Sequence, residues 1–373
     1  MIKKFYKSYF FKIIFFSILF LVLVAITNYT VDPEKIYTSK NNINDEVNLD
    51  NTLNKLISKK GFLVYKNKNW NDRDLYNLFS KKYKNIDCIV FGASSVVSIS
   101  VVQKPIVLGK YCKSILNLGM PGATFEDYFA LSNNFLLDNF QNKKIFLSIH
   151  PFTLNFNKDN RWIKNSKSFY EFLNKIKFQT PNNERKKART QFFSKSISNL
   201  LSYEYFETSL KVLLNLNENT SFITNKIDEI DLKTTNVILF DGSKKKRNLD
   251  KNNKIEIDLN KVNYKISSNK FIDKDVLELL LKYKIYFHKN NDVIFLLTPF
   301  HPDVLKLKNE PIYQALEIVE TTLHQFSKKN QIDIVGSFSA ENVKCFKYEF
   351  FDATHPSNSC LKKLGNLYYN YNN

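Results

Sequence analysis

Residues 86–92 read IDCIVFG, and this run decides the fold. It is short, apolar, rich in β-branched residues and closed by a glycine. That is the pattern of a strand buried on both faces. Two similar runs follow, SILNLG at 114–119 and KKIFLSIH at 143–150. Between the second and third, Phe125, Tyr128, Phe129, Leu136 and Phe140 recur at helical intervals over 124–140, with Thr124 and Asp127 placed as a capping box. The pattern resumes with NDVIFLLTP (291–299), a helix over 312–326, and IDIVGS (332–337). Strands alternating with helices predict an α/β chain with a parallel sheet and helices on both faces. Sites on such sheets lie beyond the carboxyl ends of the strands.

Each strand end therefore matters. The first runs into FGASSVVSIS (91–100), which sets Ser94 two residues after Gly92 at an expected strand-to-helix turn. There its hydroxyl would stand at the sheet edge, and its backbone N–H would share a helix N-terminus that favours negative charge. Val96 occupies the place of the second glycine of a G-x-S-x-G elbow, so that motif is excluded. The second strand runs into NLGMPGA (117–123), which holds two of only eight glycines in the chain. Glycine is needed where backbone approaches a ligand or takes positive φ. The N–H groups of Ser94 and Gly122 together could receive an oxyanion.

The chain has five histidines, and one stands in FFDATHPS (350–357), three residues after Asp352. An aspartate that orients an imidazole completes a nucleophile–base–carboxylate set: Ser94, His355 and Asp352. Ser243, in FDGSKKKR, is a rival nucleophile without a partnered histidine. His301, in TPFHPD after the fourth strand, reads either as a substrate contact or as a capped turn between prolines. His288 and His324 fall in helical segments as surface residues, and KKKR (244–247) reads as a solvated loop.

In this order the motifs resemble the SGNH/GDSL-type hydrolases. The likeness is to the membrane-anchored branch similar to DltD and alginate O-acetylation proteins. It rests on IVFGASSV, NLGMPGA, FFDATHP, TPFHP and the VDPEKIY that follows the apolar N-terminal run, and it covers roughly 84–155 and 291–365. The resemblance implies a three-layer α/β/α, flavodoxin-like fold. Ser94 would be the nucleophile, His355 the base and Asp352 its orienting partner, with the N–H groups of Ser94 and Gly122 forming the oxyanion hole. It implies no cofactor. The family's further block supplies an asparagine after the third strand; this chain has SIHPFTLN instead, leaving His150 nearest that place and Asn155 beyond it. Both are candidate substrate contacts. Their divergence fits acyltransferase-like branches or an inactive site. The implied activity is O-acyl transfer, of acetyl above all, on a cell-surface glycan. A carbohydrate esterase and a non-catalytic glycan-binding or assembly protein are the alternatives. A transferase would need a multi-span membrane acyltransferase as partner.

The N-terminus fits such a setting. Ile13 to Val31 carries no charge, and nineteen helical residues span roughly 28 Å, the thickness of a bilayer core. Lys3, Lys4, Lys7 and Lys12 precede it, and Asp32 and Glu34 follow. The positive-inside rule then predicts a single-pass protein of the cytoplasmic membrane, its bulk outside the cytoplasm. A cleaved signal peptide is the other reading, though Ala25-Ile26-Thr27 makes a poor cleavage site. The net charge of +19 favours anionic partners, but the lysines are spread, no nucleic-acid motif appears, and nucleic acid is excluded.

The expected organisation is 1–31 as cytoplasmic tip and anchor, 32–83 as a polar stalk and lead-in, and 84–373 as the main domain. A mainly helical insertion over about 155–285, with one small strand-like run at NVILFDGS (236–243), would form a lid. Of the four cysteines, Cys345 and Cys360 flank the Asp352–His355 pair, and a disulfide is expected between them outside the cytoplasm. Cys88 lies in an apolar run and is expected as a buried thiol. No cysteine spacing suggests zinc, so no metal is expected.

Overall fold

The computed structural model describes residues 2–32, 43–66, 70–83, 86–135, 141–154, 159, 161–178, 197–198, 200–214, 221–226, 230–232, 235–246, 249, 255–264, 266, 271–288 and 291–371. The molecule is α/β. Its helices are α1 (Ile2–Val31), α2 (Ile43–Lys59), α3 (Asp72–Lys82), α4 (Phe125–Ser132), α5 (Ser166–Lys175), α6 (Tyr203–Leu213), α7 (Leu259–Val262), α8 (Lys274–His288), α9 (Pro311–Asn330), α10 (Ala340–Val343) and α11 (Asn358–Leu361).

All five expected strands form: β2 (Cys88–Phe91), β3 (Ile115–Asn117), β4 (Lys143–Ile149), β8 (Asn291–Leu297) and β9 (Asp333–Gly336). They are mutually parallel, and β10 (Tyr368–Tyr369) adds an antiparallel edge, giving the order β10-β9-β8-β4-β2-β3. The order reverses between β2 and β4. That is the switch point where open parallel sheets leave a crevice beyond their strand ends.

Side chains alternate across each strand, so the sheet divides the core in two. Ile89, Phe91, Ile145, Leu147, Val293, Phe295 and Ile334 face the long helices α3, α4, α5, α8 and α9. Phe129 of α4 stacks on Tyr283 of α8 and Phe172 of α5 at 4.7 and 5.6 Å between ring centroids. A fully buried phenylalanine of this kind contributes roughly 1.5–3 kcal/mol. The other side chains, Val90, Phe146, Ile294, Leu296 and Val335, meet Val96, Ile99, Val107, Val343, Phe350 and Leu361. This second face carries turns and the short α10 and α11, not the layer of helices expected there. Two disulfides lie on it. Cys345–Cys360 forms as expected, and Cys88 is bonded to Cys112. The expected free thiol at Cys88 is thereby corrected: β2 directs it at the 100–112 segment, where Cys112 waits.

The 32–83 segment is more than a polar stalk. Leu53, Leu56, Leu63, Leu75, Tyr76 and Phe79 are fully buried. Its strand β1 (Phe62–Tyr65) is one of two inner strands of a second, antiparallel sheet. That sheet has the order β5 (Ser221–Thr224), β1, β6 (Asn236–Leu239), β7 (Lys244–Lys245). The 155–285 insertion thus supplies three strands as well as helices, a correction to its mainly helical reading. A strand in the lead-in segment gave them a partner that the insertion alone does not reveal. Residues 33–40, which hold most of VDPEKIY, and 136–140 at the end of the expected 124–140 helix lie outside the described residues.

At the N-terminus α1 contains Tyr9–Val31, with mean hydropathy 2.7, and is long and apolar enough to cross a membrane. Phe10, Phe15, Phe16 and Phe20 are largely exposed on it.

Candidate active site

Ser94 stands just past β2. No helix follows it. The chain instead makes successive turns, with the Val96 N–H donating to Ala93 O and the Ile99 N–H to Val96 O. The expected helix N-terminus behind Ser94 is therefore absent. The valines and Ile99 turn inward to fill the thin second face, and Asn117 fastens the turns. Its Nδ2 donates to the carbonyls of Val96 and Ile99, both at 2.8 Å. The 118–120 backbone is drawn alongside, with Leu118 N–H on Val90 O and Met120 N–H on Gly92 O. Met120, bonded to Gly92, lies two residues before Gly122, which takes φ +59°. Among the described residues neither the Ser94 nor the Gly122 N–H donates to a protein acceptor.

Asp352 and His355 come from a loop after β9, closed by Phe351 N–H on His355 O and Ser357 N–H on Glu349 O. The Cys345–Cys360 bond brackets it. The Asp352 carboxylate accepts the backbone N–H groups of Thr354 and His355 at 2.9 and 3.0 Å. It lies 2.7–2.8 Å from His355 Nδ1. On the ring's other side, His355 Nε2 is 2.7 Å from Ser94 Oγ. An ionised carboxylate only accepts, so Nδ1 carries the proton and Nε2 is left to accept from the Ser94 hydroxyl. Partial burial would raise the Asp352 carboxyl. The hydrogen bond and charge of His355, the Thr354 N–H and the Lys246 ammonium together hold it well below the usual carboxylate range. Serine, histidine and aspartate, read from two ends of the chain, thus meet in one array.

His150 ends β4 and faces the same array. Its ring packs between Phe152 and Phe300, at 4.6 and 5.0 Å. Burial, and then the charge of nearby His355, push it down to about 3, so it is neutral at physiological pH. Its Nδ1 is buried with no hydrogen-bond partner among the described residues. Asn155 lies outside the described residues. His301 is buried: its backbone N–H donates to Ala353 O, and its Nδ1 accepts from the Asp303 N–H at 3.2 Å. It braces the Asp352–His355 loop from beneath, so the capped-turn reading holds and the substrate-contact reading does not. His288 is exposed. His324 is half-buried, its Nδ1 2.9 Å from the Tyr371 hydroxyl.

Ser243 is fully buried and donates to Asp241 at 2.6 Å, which removes it as a nucleophile. The DGS turn instead supports Ser94. Asp241 also holds Ser100, its carbonyl accepts the Asn117 N–H at 2.8 Å, and the Lys244 N–H reaches Val97 O. Gly242, at φ +80°, lies so close to Asn117 that a Cβ would come within 2.3 Å of its carbonyl oxygen.

Four site residues, Lys246, Arg161, Asp159 and Tyr264, escaped the sequence reading. Lys246 of KKKR is half-buried over the Phe351 ring at 4.9 Å, not in a solvated loop. Burial brings its ammonium down to about 8, partly offset by Asp352. Arg161 lies against Gly122, where a Cβ would come within 1.4 Å of its Nη2. The guanidinium is bound to the nearly buried carboxylate of Asp159, which also accepts from the Tyr264 hydroxyl at 2.6 Å. Burial opposes ionisation of Asp159, but Arg161 and Tyr264 bring it down to about 2. Tyr264 packs edge-on to Phe152, joining the cluster to His150. All four residues belong to the insertion. A basic or aromatic residue in a polar stretch gives no local sign of such contacts.

The fold and site together define an α/β protein with a serine–histidine–aspartate array at the carboxyl edge of a parallel sheet. No family model matches the chain, and no curated protein matches it.

Proposed function

We propose that the chain is a membrane-anchored serine acyl-transfer enzyme of SGNH type, acting on O-acyl groups, acetyl above all, of a cell-surface glycan. One observation carries this reading: Ser94 Oγ lies 2.7 Å from His355 Nε2 while Asp352 holds Nδ1. The parallel strand order supports the SGNH-type, flavodoxin-like assignment, since a serine after the first main strand and a histidine after the last meet at the switch point.

In this mechanism His355 takes the Ser94 proton as Oγ attacks the acyl carbonyl. The negative charge that develops on the carbonyl oxygen is received by the N–H groups of Ser94 and Gly122. His355 then protonates the departing oxygen of the acyl donor, leaving Ser94 acylated. A second hydroxyl, of sugar or water, is deprotonated by the same Nε2 and releases the acyl group. Asp352 stays ionised throughout and stabilises the imidazolium. Neutral His150 stands where the family supplies an asparagine, and its unpartnered ring nitrogen makes it a further contact for the acyl or sugar oxygen.

The reading includes a single-pass topology with residues 1–12 in the cytoplasm and the domain outside it, where a multi-span membrane acyltransferase would supply the acyl group.

The test is turnover of an aryl acetate and labelling by a fluorophosphonate, on the purified full chain. Ser94→Ala and His355→Ala should each lower turnover by about 10⁴–10⁶-fold with unchanged melting. Ser94→Ala should lose the label. Equal turnover in wild type and both variants, with no label on the wild type, would leave a glycan-binding or assembly protein as the better reading.

A further inference from the structure

Among the described residues, the insertion meets α1 through α6 and the residues just before it. Asn28 of α1 is fully buried there, and its side-chain amide donates to the carbonyls of Leu200 and Ser202 at 2.9 and 3.3 Å. Ser209 donates to Asn28 Oδ1 at 3.0 Å, and the Tyr205 hydroxyl to Asp32 at 2.8 Å. Phe206 meets Phe20 edge-on at 6.5 Å. Phe20 precedes Asn28 by eight positions, about 12 Å along a helix axis. The α6 helix therefore crosses α1 within its apolar stretch, not beyond it.

At about 100° per residue, the positions of α6 sort into three arcs. Tyr205 and Ser209 face α1 and are buried. Glu204, Glu207, Thr208 and Lys211 share a second, exposed arc, where Lys211 and Glu207 pair. The third arc is apolar and largely open: Tyr203, Leu213 and Leu214 are 74%, 59% and 60% exposed, with the half-buried Phe206 and Leu210 beside them. It adjoins the bare apolar surface of α1 itself. An apolar face next to a helix of membrane-spanning length, with a charged arc turned elsewhere, is the pattern of a helix lying in a bilayer boundary.

We propose that α6 is an interfacial helix. It lies at the headgroup–acyl boundary of the bilayer that α1 crosses, with the Tyr203–Leu214 face on acyl chains and the Glu207–Lys211 side in water. The occupant is lipid because the face continues that of α1. The contact is apolar, not electrostatic, because α6 itself carries two acidic residues against one lysine. This inference rests on the anchor reading of α1.

Lipid photo-crosslinking tests the two separately. A p-benzoyl-phenylalanine replaces Phe16, Tyr203, Leu214 or Glu207, one at a time, in the full chain held in phosphatidylethanolamine–phosphatidylglycerol vesicles. All four positions are exposed, so folding is spared. After irradiation, phospholipid adducts are read by mass. Positions 16, 203 and 214 should give adducts several-fold above position 207, and raised salt should not change this. Adducts at 16, with 203 and 214 no higher than 207, would overturn the interfacial helix and leave the anchor standing. No adduct at position 16 would remove the anchor reading and this inference with it. Crosslinks from 203 and 214 to another protein in native membranes, without lipid, would also overturn it.

Discussion

Gly122 has only a hydrogen where other residues carry a Cβ, and Arg161 occupies the space. A methyl group there would stand 1.4 Å from Arg161 Nη2 and 2.8 Å from Asp159 Oδ2, on a backbone at φ +59°. Gly122→Ala should therefore displace the N–H assigned to the oxyanion. Loss of one such donor lowers kcat about 10²–10³-fold. Adding Arg161→Ala should recover melting temperature but not turnover; a single variant with wild-type kcat would remove Gly122 from the oxyanion hole. Asp159 carries a pH signature. Its carboxyl is at about 2 in the folded protein, against an ordinary value of about 3.9. A depressed carboxyl stabilises the fold above its unfolded value, and that stabilisation fades as pH falls from about 4 to about 2. Asp159→Asn should thus be less stable than wild type at pH 7, with the gap in urea midpoint closing across that window. A gap unchanged by pH would rule out the ionised pair. The candidate site was legible because Ser94, Gly122, Asp352 and His355 each sit in a short motif at a strand end. Arg161, Tyr264 and Lys246 were not, since each owes its position to a contact with a distant segment.

Among the elements, the second face of the main sheet is the thin one. Long helices cover only the side of Phe91 and Phe295, while Cys88 and Phe146 look out on turns. Both disulfides are found there, which suits a layer whose short helices could not hold themselves. The Cys345–Cys360 link closes a separation of 15 residues around His355. A loop of that size is worth about 3 kcal/mol by chain entropy. Cys345→Ser with Cys360→Ser should lose about that much in urea unfolding, and aryl-acetate turnover should fall further than Cys88→Ser with Cys112→Ser lowers it, because only the first pair brackets the base. Equal losses of turnover in the two double variants would refute that ranking. Sequence placed one of these bonds through its flanking of the Asp352–His355 loop. It missed the other because an apolar run hides a cysteine as readily for burial as for bonding. The main strands were legible from apolar runs ending in small residues. The second sheet was not, because FLVY at 62–65 is short and its partners start at residue 221.

For the molecule as a whole, α1 and the charges around it decide orientation. Four lysines precede the uncharged run, and Asp32 follows. A reporter that works only outside the cytoplasm, fused after Asn373, should be active; activity confined to a cytoplasmic reporter would reverse the proposed topology. The same direction of travel bears on β1. In the finished protein Phe62–Tyr65 is paired on both sides, by Ser221–Thr224 and by Asn236–Leu239. In the proposed topology the N-terminal tip stays behind and the segment after α1 emerges first, which delivers β1 early and both its neighbours late. Through that interval its two edges are open to any other extended chain, close to a crowded membrane surface. Export in the proposed orientation thus sets a timing demand that the folded state conceals. The stretch that waits longest for its partners is then β1, not the C-terminal loop that carries His355.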